Sequence, residues 1–352
     1  GHASVTLQLQ RPIVGTPVEF EDWRMRLDGA LQNFAGNMTT RQIAVSNGQL
    51  QVHGDLRSLV VSGPVRAGGS NVNVSWTEHL TRAPRSSSEY TISGDFDAAD
   101  LERLGYTIAQ YAHGRVGVTV SGQGRGFDVD QANLNLDLSR ASVTTPWNYW
   151  TKPAGQSATA RLTVARQTDG TLAFNNIDGR GAGFGLQQGM VRIDHAGQIV
   201  ELNLPRLTID GSTNARITAA RGNDGGLDVA VRGALFDGAP FMSTSNAPAA
   251  QAAAGGPAAP SPPLRATVLV DNLKLRGGAT LSNANVSVSL VRDALTTLIA
   301  TGQSPTGKNF SLALGPRPAD PAGHIAFQSD DAGFAVAALT GGKGVDIVMD
   351  VV

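Results

Sequence analysis

The chain has 352 residues, enough for two ordinary domains or one long all-β array, and its 28 Lys+Arg against 29 Asp+Glu leave a net charge of -1. So even a balance excludes the basic field that draws a polyanion, and nucleic acid is not an expected partner. Cysteine is absent, which excludes disulfides and thiolate metal sites, and aromatics at 5 % against 42 glycines favour a thin, extended architecture over a core filled by large rings.

No run approaches the roughly 20 apolar residues that span a bilayer, and no charged-then-apolar leader opens the chain. Gly1-His2-Ala3-Ser4 reads as a tag remnant, and 345–352 still reads as a strand, so a soluble piece of something longer is expected.

Alternation begins at once with Val5, Leu7 and Leu9 against Thr6 and Gln8. It recurs as Val72/Val74/Trp76, Val116/Val118/Val120, Ala132/Leu134/Leu136/Leu138, Leu162/Val164, Leu202/Leu204, Leu207/Ile209 and Val286/Val288/Leu290. A period of two means strands with one apolar face. The breaks Ser46-Asn47-Gly48, Thr168-Asp169-Gly170, His195-Ala196-Gly197, Asp210-Gly211-Ser212 and Asn223-Asp224-Gly225-Gly226 supply the residues that hairpin turns need for positive φ. Consecutive strands are therefore expected to pair antiparallel. A spacing of roughly ten residues fits sandwiches, barrels and repetitive arrays alike.

Two stretches depart from period two. In 97–113 (Ala98, Leu101, Leu104, Ile108) and 292–302 (Leu295, Leu298, Ile299) the apolar residues fall three or four apart, predicting short helices. Asp95, Asp97 and Asp100 stand where a helix N-terminus favours negative charge, and capping explains them better than a calcium loop, which needs further ligands and a central Gly. The stretch 243–263 is Ala, Pro, Gly and Ser-rich without charge, a linker composition. The expected organisation is thus a β array over 1–242, a linker over 243–263 and a second β region over 264–352.

Catalytic and metal signatures are missing. The histidines at 2, 53, 79, 113, 195 and 324 form no i,i+4 pair, so no metal site is expected, and there is no Gly-x-Ser-x-Gly elbow. Gly122-x-Gly124-x-Gly126 and Gly181-x-Gly183-x-Gly185 lack dinucleotide spacing and read as bulges or turns; Gly341-Gly342-Lys343-Gly344 precedes a strand. Asp128 and Asp130 share a strand face as solvated polar positions, with a glycosidase pair as the remote alternative. No cofactor and no enzyme activity are expected. The distinctive segment is Pro146-Trp147-Asn148-Tyr149-Trp150-Thr151-Lys152-Pro153-Ala154-Gly155, holding two of four tryptophans. It reads as a plug sealing the array's end, with Lys152 covering a ring, or as a carbohydrate-stacking platform.

Taken in order, these elements resemble the AsmA-like family of Gram-negative envelope proteins, in its YhdP-type, TamB-related branch. The resemblance rests on a short helix with Leu101, strands around 116–130, alternation through Leu138, Trp150-x-Lys152-Pro153-x-Gly155, and Gly189-x-Val191-x-Ile193-Asp194 with Gly197. It continues through Leu202-x-Leu204, Leu207-x-Ile209 and Val231-x-Gly233-x-Leu235-x-Asp237, and beyond the linker through Ser329-Asp330-Asp331-Ala332-Gly333 with Gly341-Gly342. It covers about two thirds of the chain, strongest over 90–240; the long linker and Phe236-Asp237-Gly238 depart from the family pattern.

The resemblance implies an all-β fold with two short helices, in which an extended, twisted antiparallel sheet forms an incompletely closed groove lined by apolar side chains. It implies a periplasmic segment, tied to the inner membrane by an anchor outside this sequence, that conducts phospholipid between inner and outer membranes. Phospholipid acyl chains would be the ligand and an outer-membrane protein a possible partner. The lining would comprise Leu134, Leu136, Leu138, Leu162, Val164, Val191, Ile193, Leu202, Leu204, Leu207 and Ile209; Trp150, Lys152, Pro153 and Gly155 are the family motif. Two further readings stand beside it: a TamB-like scaffold that assembles outer-membrane proteins through strand edges, and a secreted adhesin or carbohydrate-binding β protein.

Overall fold

The computed structural model describes residues 1–11, 23–38, 43–80, 87–104, 111–126, 128–145, 148–242, 262–291, 294–317, 320–331, 333–335 and 338. The chain is all-β, about 73 % strand against 6 % helix. It divides into two compact units, the first comprising Gly1–Thr144 and Lys152–Asn175, the second Thr145–Thr151 and Asn176–Val352.

The first unit runs β1 (His2–Gln10), β2 (Arg24–Met38), β3 (Ile43–Gly54), β4 (Ser58–Ala67), β5 (Ser70–His79), β6 (Ser88–Asp97), α1 (Ala98–Arg103), β7 (Ala112–Arg125), β8 (Asp128–Asp137) and β9 (Ala141–Thr144). There follow β10 (Thr151–Lys152), β11 (Ala158–Arg166) and β12 (Leu172–Gly181), the division between units falling inside β10 and β12. Strands pair antiparallel with their chain neighbours from β1 to β8, and β8 continues to β11.

The second unit carries β13 (Phe184–Ile193), β14 (Ile199–Ile209), β15 (Thr213–Arg221), β16 (Leu227–Asp237), β17 (Leu264–Lys274), β18 (Thr280–Val291), β19 (Ala294–Gln303), β20 (Asn309–Arg317) and β21 (Asp320–Ser329). These too pair in chain order and antiparallel, with one exception: β16 and β17 are parallel, Leu227 opposite Leu264 through Asp237 opposite Lys274. A parallel pair cannot be closed by a tight turn and needs a connection of about a dozen residues or more. Here 238–263 connects them, so the Ala/Pro-rich stretch lies between two adjacent strands, and the two compact units do not divide at it.

The turns follow the sequence. Gly170, Gly197, Gly211 and Gly225 all take positive φ between strands, and Gly183 turns β12 into β13. Ser46-Asn47-Gly48 differs. It lies inside β3, where Asn47 at φ 52 and a register shift against β4 mark a bulge, a left-handed position that Asn tolerates. The helix expected over 97–113 is shorter, with α1 ending at Arg103 and Ala112 and His113 already in β7; Ile108 and the rest of 105–110 lie outside the described residues. The helix expected over 292–302 is instead β19, paired with β18 as Leu298 opposite Val288 and Ala300 opposite Val286. Leu298 and Ala300 face the core of the unit while Leu295 and Ile299 are exposed, so apolar side chains on both faces of one strand imitate helical spacing. The 345–352 strand expectation lies outside the described residues.

Each unit has its own core. In the first, Val45, Leu50, Val65, Ala67, Val72 and Phe96 are buried together, with Leu101 and Leu104 packed on them from α1 and the residue after it. In the second, Val231, Phe236, Val270, Leu273, Leu281, Val286 and Phe310 form the largest cluster.

Candidate functional site

Directly opposed residues of an antiparallel pair share a face, so successive registers can be read as rows across a sheet. In the first unit one row runs Val74, Ile92, Val120, Leu134, Leu162 through β5, β6, β7, β8 and β11. Beside it lie Val72, Gly94, Val118, Leu136, Ala160 on one flank and Trp76, Tyr90, Gly122, Ala132, Val164 on the other. Leu134, Leu136, Leu162 and Val164 therefore occupy one apolar face, while Asn73, Ser93, Thr119, Asn135 and Arg161 make the corresponding row on the polar face. Leu138 stands just past β8, its N–H donating to Ala158 O at 2.9 Å.

The central row crosses five strands, about 19 Å at the usual strand separation. Every member of it is half-buried. At one end the face is covered: Val72 and Phe96 are buried under Leu101 and Leu104. The cover is held firmly, since Asp97 caps α1 by accepting from Ala99 N at 3.0 Å, Asp100 accepts from the Ser70 hydroxyl and from Arg103, and Arg103 Nε donates to Gly68 O at 2.5 Å. Of the three aspartates read as capping, Asp97 and Asp100 serve α1, whereas Asp95 pairs with Arg140. A depression of about 810 Å³ opens over the same strands, lined chiefly by polar residues, Asn73, Thr119, Asn135 and Arg161 of the polar row among them, together with Val118, Leu136 and Ala160. Among the described residues no group of His, Asp and Glu is placed to hold a metal ion.

In the second unit the face depends on bulges. Leu204 and Leu207 are three apart, and unbroken alternation would send them to opposite sides. Leu204 pairs with Ile217 and Leu207 with Ala215, so the register shifts by one between them. Ile217 and Ala215 share a face of β15, and the bulge thereby keeps Leu202, Leu204, Leu207 and Ile209 together. β13 has a matching irregularity at Gln188, φ 56, whose N–H donates to Asp178 at 3.0 Å. Leu186 pairs with Leu207 and Val191 with Leu202, which brings Val191 and Ile193 to the same side. Val191, Ile193, Leu202 and Leu204 are half-buried, but Leu207 and Ile209 are buried with Leu186 against Tyr149, Trp150 and Phe184.

The aromatic segment is packed internally. Trp150 lies 4.8 Å from Phe184 between ring centres and donates from Nε1 to Ala182 O at 3.0 Å. Tyr149 stands 6.0 Å from Phe236 and 5.5 Å from Phe241, and its hydroxyl bonds Thr213 and accepts from Asp237 N at 3.3 Å. Both rings are engaged by their own chain, which favours the plug over the carbohydrate platform; Trp147 lies outside the described residues. Among the described residues Lys152 covers no ring. It is 1 % exposed, its ammonium donating to Pro153 O at 2.9 Å and Gln156 O at 2.8 Å, while Gly155, at φ 90, donates to Ser139 O at 2.8 Å. Burial pushes the Lys152 pKa below its ordinary value, with Asp137 opposing. Lysine, proline and glycine of the motif thus form a self-bonded turn leading into β11.

The expected lining omitted Val74, Ile92, Val120, Phe184 and Leu186, although Val74 and Val120 belong to alternating runs read in the sequence. What was missing was the register that places them in line with Leu134. No family model, no curated protein and no solved structure matches this chain. Among the described residues no helix is long and apolar enough to cross a membrane.

Proposed function

We propose that this chain is a non-enzymatic lipid-handling segment that holds phospholipid acyl chains against its half-buried apolar face. The fuller reading is a periplasmic part of an inner-membrane-anchored AsmA-like protein passing phospholipid between inner and outer membranes. The observation that carries it is the unbroken row Val74–Ile92–Val120–Leu134–Leu162, aliphatic on every strand and half-exposed along its length. Hydrocarbon laid on such a surface gains about 0.8 kcal/mol for each methylene fully withdrawn from water. The gain is spread evenly over similar rungs, so a chain can move along them without crossing a deep well, and the polar headgroup stays in water. No catalytic residue is required.

The test is phospholipid capture. Mass spectrometry after gentle purification should find copurified phospholipid, and photo-crosslinkers at Val120 and Leu162 should label it. Leu134→Asp places a carboxylate in the middle of the row and should cut crosslinking at least tenfold, while the same change at Asn135, on the polar face, should leave it unaltered. A wild-type protein that neither copurifies with nor crosslinks to phospholipid overturns the reading, as does a Leu134→Asp variant that crosslinks normally.

A further inference from the structure

We propose that Arg206, Arg216 and Arg232, on the solvent face of the second unit, form a binding site for a phosphate group. Arg216 stands directly opposite Arg232 in the ladder of β15 with β16. Arg206 joins them through the bulge in β14: Leu204 pairs with Ile217 and Leu207 with Ala215, so Pro205 and Arg206 both stand against Arg216. The bulge that gathers Leu204 and Leu207 on the inner face thus turns Arg206 outward, and all three arginines are exposed. Gln187 on β13 continues the row, its side-chain oxygen accepting from Arg206 Nη1 at 3.3 Å, and Leu269 on β17 ends it beside Arg232.

Cations directly opposed across strands destabilise a sheet, whereas opposite charges in the same places support it. The same face shows the supported arrangement about 13 Å further along the strands. There the row runs Arg192, Glu201, Ala220, Asp228, Arg265, with Arg192 3.3 Å from Glu201 and Arg265 2.5 Å from Asp228. Among the described residues, none of the arginines at 206, 216 and 232 makes an ion pair. Asp178 and Asp271 lie at the margins of the row without pairing to it: Asp178 accepts from Gln188 N at 3.0 Å, and Asp271 stands two residues beyond Leu269. The repulsion is left for an anion from outside to relieve.

Phosphate fits the row in geometry and in charge. Arg206 and Arg232 are two strand spacings apart, about 10 Å, with Arg216 midway, so three long side chains can turn onto one anion between them. Each guanidinium presents parallel N–H groups that match two phosphate oxygens. A phosphomonoester carries about -1.5 to -2 charge at neutral pH and three free oxygens, enough to engage more than one of the arginines at once. A carboxylate offers one charge and two oxygens. The phosphate can be free in solution or the terminal group of a lipid head, and the two sources are separable by experiment.

The test is NMR of the arginine Nε–H groups of the full chain. Inorganic phosphate at millimolar concentration should shift the Arg216 and Arg232 signals saturably, and sodium chloride at matched ionic strength should not. Arg216→Gln should weaken phosphate at least about tenfold, whereas Arg192→Gln, the same loss of charge on the same face, should change it less than about twofold. Without phosphate, Arg216→Gln should raise the urea midpoint by removing a like-charge contact, where loss of a structural arginine would lower it. Vesicles of phosphatidylcholine containing phosphatidic acid identify the source: adhesion that Arg216→Gln abolishes assigns a lipid head, and phosphate binding without adhesion assigns the free anion. Absence of a saturable phosphate shift overturns the proposal, as does equal weakening by Arg192→Gln or a lowered urea midpoint in Arg216→Gln. Phospholipid capture by the row at Leu134 is read from its own crosslinks in the first unit, so either result can fail alone.

Discussion

Lys152→Met removes a buried ammonium while keeping the length and apolar character of its stem. The wild-type side chain is 1 % exposed and makes two bonds to carbonyls, those of Pro153 and Gln156. Bonds from a charged donor contribute roughly 1.5 to 3 kcal/mol each, but Pro153 and Gln156 are exposed, and water can replace the donor in the variant. The thioether also avoids the cost of keeping a charge out of water, which is what pushes the lysine pKa down. The net loss should be about 1 to 3 kcal/mol, measured as a lower guanidinium midpoint with unchanged slope. Because the folded pKa lies below the ordinary 10.5, the unfolded chain holds more protons between those values. Wild-type stability should accordingly rise with pH across that alkaline window, and the gap to Lys152→Met should widen. Amide exchange should quicken at Gly155, whose N–H donates to Ser139 O. A variant as stable as wild type, or a gap that closes on approach to pH 10.5, would refute the assignment of Lys152 as the lock of this turn.

Two further outcomes follow from the second unit. Leu281 is 1 % exposed in the main cluster, and Leu281→Ala should cost about 3 kcal/mol, read from the denaturant midpoint. Arg265 ties β17 to Asp224 at 2.7 Å and Asp228 at 2.5 Å, and its guanidinium holds the Asp224 carboxyl down at about 2 against an ordinary 3.8. Arg265→Met should return that carboxyl toward 3.8 by NMR titration. The contribution of Asp224 to stability is complete above 3.8 and fades as pH falls toward 2, and this acid-dependent part should shrink in Arg265→Met, leaving the share that the Gly226 N–H bond supplies.

The sequence by itself determined that the chain is mostly strand and where several of its turns fall, because period-two alternation and positive-φ glycines are local properties of the chain. Leu134 and Leu136 could be assigned to one side of β8 without coordinates for the same reason: a strand interior has only two faces. The segment 292–302 was misread because Leu295, Leu298 and Ile299 are apolar on both sides of β19, a pattern that spacing cannot distinguish from a helix until the register with β18 is known. Likewise Leu204 and Leu207 are united by a bulge whose position is fixed by the partner strand β15. The parallel joining of β16 to β17 was equally out of reach of local pattern, since a linker composition does not reveal which strands it connects. Tertiary structure alone decided the row from Val74 to Leu162, because alternation sets the face of each strand, whereas only the hydrogen-bonded ladders set the offset between strands.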